Sequence, residues 1–175
     1  GKHVFVEKPL AITRESLEEI KKYFIKESGT PILTVGFNRR YSPLITEIKN
    51  SLSDRIGPVI INYRMNAGYK NSKDWIFDQG GRIIGEACHI FDLFGYLVNS
   101  EIESYSFKKI NLGNHKYLLD DNVSISIKYK DGSICVLNYF ALGAKELSKE
   151  YMDLHFDGKS LILDNYQKLK FYGLN

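Results

Sequence analysis

The stretch Val4-Phe5-Val6-Glu7-Lys8-Pro9 decides the fold. A short apolar strand runs to Val6 and is stopped by Pro9, so Glu7 and Lys8 stand at its carboxyl end. Ligands of open α/β sheets bind outside the carboxyl ends of strands, which makes Lys8 a candidate for chemistry. A solvated lysine at a strand end is the plain alternative. Downstream of it, Thr13 reads as the N-cap of a helix, with Ser16 at its third position and Leu17, Ile20, Phe24 and Ile25 at helical spacing. That helix is expected to end near Ser28-Gly29, before a compact strand over Pro31 to Gly36. Strand, helix and strand make a βαβ unit with parallel pairing, the closing unit of a doubly wound sheet.

Beyond residue 38 the pattern changes. A polar connector, Phe37 to Pro43, leads to a helix over Leu44 to Leu52 and a strand over Val59 to Met65. Asn66 to Gln79 has no sustained period and reads as a long loop, and such loops are more often functional than idle. Gly80-Gly81 opens a mostly apolar helix from about Ile84 to Val98. Strands are expected over 102–109, 123–129, 133–140, 151–156, 159–163 and 168–172, with Lys130-Asp131-Gly132 as a hairpin turn. The expected fold is α+β: a mostly antiparallel open sheet with helices on one face, preceded by the last βαβ unit of a Rossmann-type domain. The expected division is 1–38 and 39–175.

Composition excludes several classes. The 175 residues carry a net charge of +3 and are 43% hydrophobic and 26% charged, an ordinary globular balance with no basic block to bind nucleic acid. No apolar run reaches membrane-spanning length, and no signal-peptide pattern opens the chain. The two cysteines, Cys88 and Cys135, sit in apolar contexts at no metal-ligand spacing, so the expectation is a reduced, cytoplasmic protein. Twelve tyrosines suit a sheet face that is part apolar and part wet, hence an interaction surface.

One cluster could carry chemistry. In Gly85-Glu86-Ala87-Cys88-His89-Ile90-Phe91-Asp92, helical spacing places Glu86, His89 and Asp92 on one stripe. A histidine held by carboxylates can act as a general acid or base near neutral pH. The alternative is a satisfied polar pair of His89 and Asp92. Without a second histidine these residues do not make a metal set.

Together, Glu7-Lys8-Pro9, Gly36-Phe37-Asn38-Arg39-Arg40-Tyr41-Ser42-Pro43, Asp74-Trp75, Gly80-Gly81 and Cys88-His89-Ile90-Phe91-Asp92 resemble the Gfo/Idh/MocA oxidoreductases in order and spacing, from Lys2 to roughly Phe140. The resemblance implies hydride transfer between NAD or NADP and a sugar, cyclitol or nucleotide-linked sugar. It sets Lys8 and His89 as the catalytic pair; Glu86 either takes the place of the family's acid in a shifted register or that acid is absent. It further implies Glu7, Lys8, Pro9, Arg39 and Trp75 beside the cofactor, and Lys8, Tyr41, His89 and Asp92 beside a carbohydrate-like substrate. For Trp75 a core plug is an equal reading, and for Arg39 and Tyr41 a solvated surface role. Three departures stand out. Ile76 follows the tryptophan where many relatives have arginine. Gly85 stands four residues before the histidine where many have aspartate. No Gly-x-Gly-x-x-Gly occurs, so a cradle for a pyrophosphate is missing. The chain then reads as a C-terminal portion that is inactive by itself, pairing with a second copy through its open sheet. A non-catalytic dimerisation module with the same sheet is the alternative. The Gly-Glu-x-Cys-His variant is similar to relatives from surface-polysaccharide and sugar-nucleotide pathways.

Overall fold

The computed structural model describes residues 2–25, 31–71, 73–78, 80–110 and 121–173. β1 (Val4–Val6) and β2 (Leu33–Val35) pair in parallel, Val4 opposite Leu33, and α1 (Arg14–Ile25) connects them. Thr13 caps α1 as its spacing predicts: its hydroxyl accepts from the Ser16 amide at 3.2 Å. The expected helix end at Ser28-Gly29 lies outside the described residues. None of the described residues before Ile45 is buried, because two strands and one helix enclose no interior of their own.

The interior belongs to the larger unit. α2 (Pro43–Ser51) and α3 (Cys88–Val98) pack on one face of a seven-stranded sheet. Its strands are β3 (Ile60–Asn66), β4 (Ile102–Lys109), β5 (Val123–Tyr129), β6 (Ile134–Phe140), β7 (Glu150–Phe156), β8 (Lys159–Asp164) and β9 (Lys168–Tyr172), in the order β4-β5-β6-β3-β7-β8-β9. Alternation sorts the faces: Ile61, Tyr63 and Met65 of β3 point inward beside Cys135, Leu137 and Tyr139 of β6, and Met152 and Leu154 of β7. They meet Ile45 and Ile48 of α2, and Ile90, Leu93, Phe94 and Leu97 of α3. All neighbours are antiparallel except β3 and β6, which run parallel at the centre. The α+β expectation holds, with that parallel pair as an addition no local pattern reveals.

The long helix expected over Ile84 to Val98 is present but not uniform: residues Ile83–Ala87 are π-helical and run directly into the α-helix Cys88–Val98. Its C-terminus closes on Asn99, whose left-handed backbone (φ 56°) lets its amide reach the Gly95 carbonyl at 2.9 Å. The loop after β3 also holds a short 3-10 turn, Trp75–Phe77, capped by Asp74.

Candidate active site around Lys8 and His89

β1 ends where the second part of the chain begins to pack. Lys8 Nζ donates to the Gly85 carbonyl at 2.5 Å, tying the first strand to the π turn. Beside it, the end of β2 comes so close that a Cβ on Gly36 would stand 2.9 Å from a Glu7 carboxylate oxygen. The accepting Gly85 carbonyl belongs to a π turn, a feature frequent at functional sites.

The same turn undoes the expected acidic stripe. Glu86 is drawn to Arg82 (3.3 Å), the Tyr139 hydroxyl (2.6 Å) and Lys149 (2.5 Å). Asp92 is held by Arg40, which donates from Nε at 3.0 Å and from a second nitrogen closer still. His89 therefore has no carboxylate on its ring, and the expectation of a carboxylate-held histidine is corrected. The widened turn shifts Glu86 off the stripe, and a guanidinium or ammonium gives a carboxylate a stronger bond than a neutral imidazole can.

His89 is 8% exposed, edge-on to Phe37 with ring centroids 6.0 Å apart, and its Nδ1 is buried without a hydrogen-bond partner. Burial pushes its pKa down to about 4, helped by the positive charges of Arg39, Lys8 and Lys149 and opposed by Glu86. The imidazole is thus neutral at neutral pH and can accept a proton. Burial works against the Glu86 carboxylate, but bonds from Lys149 and Tyr139 and the charge of Arg82 outweigh it and hold its pKa at about 2. Burial raises the Cys88 thiol, so the neighbouring sulfur is not primed as a nucleophile.

The remaining candidates are placed differently. Arg39 bonds Glu150 at 2.7 Å and lies over the Tyr166 ring, while Glu150 also accepts a short bond from Tyr63. That anchors the connector to the sheet while leaving the arginine's charge felt at His89. Tyr41, at the end of the 3-10 turn Asn38–Tyr41, is 73% exposed. Trp75 is 68% exposed, which removes the core-plug reading. Among the described residues no group of three His, Cys, Asp or Glu side chains could hold a metal ion.

Sequence reading passed over Arg82, Tyr139 and Lys149. Arg82 is 2% exposed, with its guanidinium on the Ala67 and Gly68 carbonyls, near Asp121, and over the Tyr139 ring. Its spacing of four from Glu86 was the one local signal available. Tyr139 and Lys149 arrive from distant strand ends and left none.

No protein-family model matches the chain. It is 28% identical over 146 residues to the uncharacterized oxidoreductase YrbE of Bacillus subtilis, an alignment covering 78% of this chain and 41% of that protein. It is 36% identical over 111 residues to the scyllo-inositol 2-dehydrogenase (NAD(+)) of the same organism, covering 61% of this chain and 31% of the relative. The chain thus spans less than half the length of these curated relatives. Among solved structures, a levoglucosan dehydrogenase in complex with NADH and L-sorbose superposes with a TM-score of 0.75 at 22% identity, over 98% of this chain and 50% of that one.

Proposed function

We propose that this chain, whose sequence relatives include inositol dehydrogenases and whose fold is that of the C-terminal portion of Gfo/Idh/MocA oxidoreductases, contributes the substrate half of an NAD(P)-dependent dehydrogenase. The carrying observation is the bond from Lys8 to Gly85, four residues before His89, which brings a strand-end ammonium to the helix bearing a neutral imidazole. The division at residue 38 is part of the same proposal, supported by the lack of any buried residue ahead of Ile45 among those described.

A nicotinamide cofactor supplies the hydride acceptor or donor. Glu7, Lys8 and Pro9, at the carboxyl end of β1, suit its nicotinamide end, with Gly36 allowing the close approach of β2. No Gly-rich turn for the pyrophosphate occurs in the chain, so the rest of the dinucleotide is assigned to residues outside it. Loss of hydride from a carbinol carbon requires removal of the hydroxyl proton. His89 accepts that proton as a neutral base, while the Lys8 ammonium stabilises the developing alkoxide. Pairing with a second copy through the open sheet face belongs to this reading, as does a cytoplasmic setting; among the described residues no helix is long and apolar enough to cross a membrane.

In the full-length protein, Lys8→Ala is expected to lower kcat by roughly 100-fold or more while the dissociation constant for NADH stays nearly constant. Unchanged turnover would overturn the assignment and favour a non-catalytic dimerisation module.

A further inference from the structure

We infer that Glu150 and Tyr166, which lie on neither the strand of Lys8 nor the helix of His89, are positioning residues for the reaction: through Arg39 they fix the segment that sets the Phe37 ring against His89. The inference rests on the oxidoreductase reading above and adds to it residues that act through another side chain.

That segment, Gly36 to Tyr41, leaves β2 and enters the larger unit. At its start the Gly36 amide donates to the Val6 carbonyl at 2.8 Å and the Phe37 amide to the Val35 carbonyl at 2.7 Å, so it is tied to the strand that ends in Lys8. The Phe37 ring then stands edge-on to His89, with centroids 6.0 Å apart. Arg40 pairs with Asp92, one helical turn beyond His89 on α3, and Arg39 donates to Glu150 of the sheet at 2.7 Å. Because the buried Nδ1 of His89 has no hydrogen-bond partner, packing orients the ring in place of a bond at that nitrogen. Lys8 and His89 ride on different elements, so their mutual placement depends on this segment as well as on the bond from Lys8 to Gly85.

The grip on Arg39 is closed on every side. Glu150 is buried; one of its oxygens takes the Arg39 guanidinium and the other a short bond from the Tyr63 hydroxyl, which lies 3.2 Å from the Tyr166 hydroxyl. The Tyr166 ring in turn lies beneath the guanidinium, 5.4 Å from its centre. Four side chains from distant parts of the sequence thus form a ring, and a connected polar network of this kind is rigid. The backbone shows that Tyr166 is there for its side chain. Asn165 and Tyr166 both adopt left-handed backbone, φ 51° and 56°, in the turn between β8 and β9. Asparagine tolerates that conformation, whereas a tyrosine is kept in it by its surroundings, a condition that collects at functional sites. The Asn165 amide donates to the Glu150 carbonyl at 2.8 Å, which fastens the turn to the residue holding Arg39.

The test uses the full-length protein with NAD(P)+ and whichever of myo-inositol, scyllo-inositol and D-glucose reacts fastest. Tyr166→Asn, which keeps the turn and removes the ring, and Glu150→Gln are each expected to lower kcat and kcat/KM for that polyol about tenfold, with KM for the dinucleotide within about twofold of wild type. Tyr166→Phe keeps the ring beneath Arg39 and is expected to restore kcat to near the wild-type value. Gly132→Ala, in a hairpin turn beside Pro58, serves as a destabilised control and should leave kcat unchanged. The second measurement is the NMR resonance of the His89 ring protons at pH 7, assigned by its loss in His89→Gln. Displacement of the Phe37 ring should shift it in Tyr166→Asn and leave it in place in Tyr166→Phe and Gly132→Ala. A rise confined to KM of the dinucleotide overturns the inference and makes Arg39 a cofactor contact. Lowered thermal stability of Tyr166→Asn with kcat unchanged, or a fall in kcat without movement of the His89 resonance, also overturns it. Failure of all three polyols to react counts against the oxidoreductase reading, and the resonance then decides the inference alone: a shift in Tyr166→Asn upholds the link to His89, and no shift overturns it.

Discussion

His89 carries the cost of its own placement. Its pKa of about 4 in the folded chain lies below the ordinary 6.5, so below pH 6.5 the unfolded chain binds a proton that the folded chain resists. The associated stability is fully present above 6.5 and is lost as pH falls toward 4, by up to roughly 3 kcal/mol. Urea unfolding across that window should show the decline in the wild type and a flatter curve in His89→Gln. Glu86, held at about 2 against an ordinary 4.5, also has a depressed pKa, and its contribution disappears only as pH falls from 4.5 toward 2. The two losses therefore occupy successive windows; Glu86→Gln should remove the lower one and, by taking away the charge that opposes the depression of His89, carry the upper one further down in pH. At this scale the residue types were legible and their pairings were not. The chain shows Glu86, His89 and Asp92 at helical spacing, but only packing supplies Lys149, Tyr139 and Arg40 as competitors for the acids.

Among the elements, the π turn matters most, because it holds the Gly85 carbonyl that accepts from Lys8. A Cβ at residue 85 would meet the Ile76 side chain at 3.3 Å, a contact tight enough to displace one or the other. Gly85→Ala is thus expected to lower kcat more than it lowers thermal stability, and thermal unfolding beside steady-state kinetics separates the two. The β5–β6 hairpin gives a cleaner backbone case. Gly132 sits at φ 90°, with its amide on the Tyr129 carbonyl at 3.0 Å and Asp131 accepting from the Ser133 amide. Gly132→Ala should cost about 1 kcal/mol or more, read as a lowered midpoint in urea with unchanged slope. Asn66→Ala should free the connection to β7 at a cost of about 1–3 kcal/mol from the bonds lost. Hydrogen exchange at the residue-66 amide, which donates to the Lys149 carbonyl, would report it.

For the whole molecule, the outer face of the sheet is the proposed site of self-association. Ile60 and Ile134 are exposed there, opposite one another on the parallel pair, and Arg64 lies over Tyr151 nearby. Ile60→Asp should convert a dimer to a monomer in light scattering, and a wild-type monomer at high concentration would remove that part of the proposal. The chain alone is expected to bind no NADH at micromolar concentration in a fluorescence titration. What the sequence determined by itself is whatever depends on near neighbours along the chain: the βαβ order, the Thr13 cap, the alternation that sorts the sheet faces, the Lys130-Asp131-Gly132 turn, and the set of residues that resembles one oxidoreductase family. Tertiary structure alone decided the parallel pairing of β3 with β6, the π turn, the capture of Glu86 and Asp92 by cations, and the arrival of Lys149. Those outcomes turn on groups tens of residues apart competing for the same partners in a desolvated interior, and no local pattern records which competitor wins.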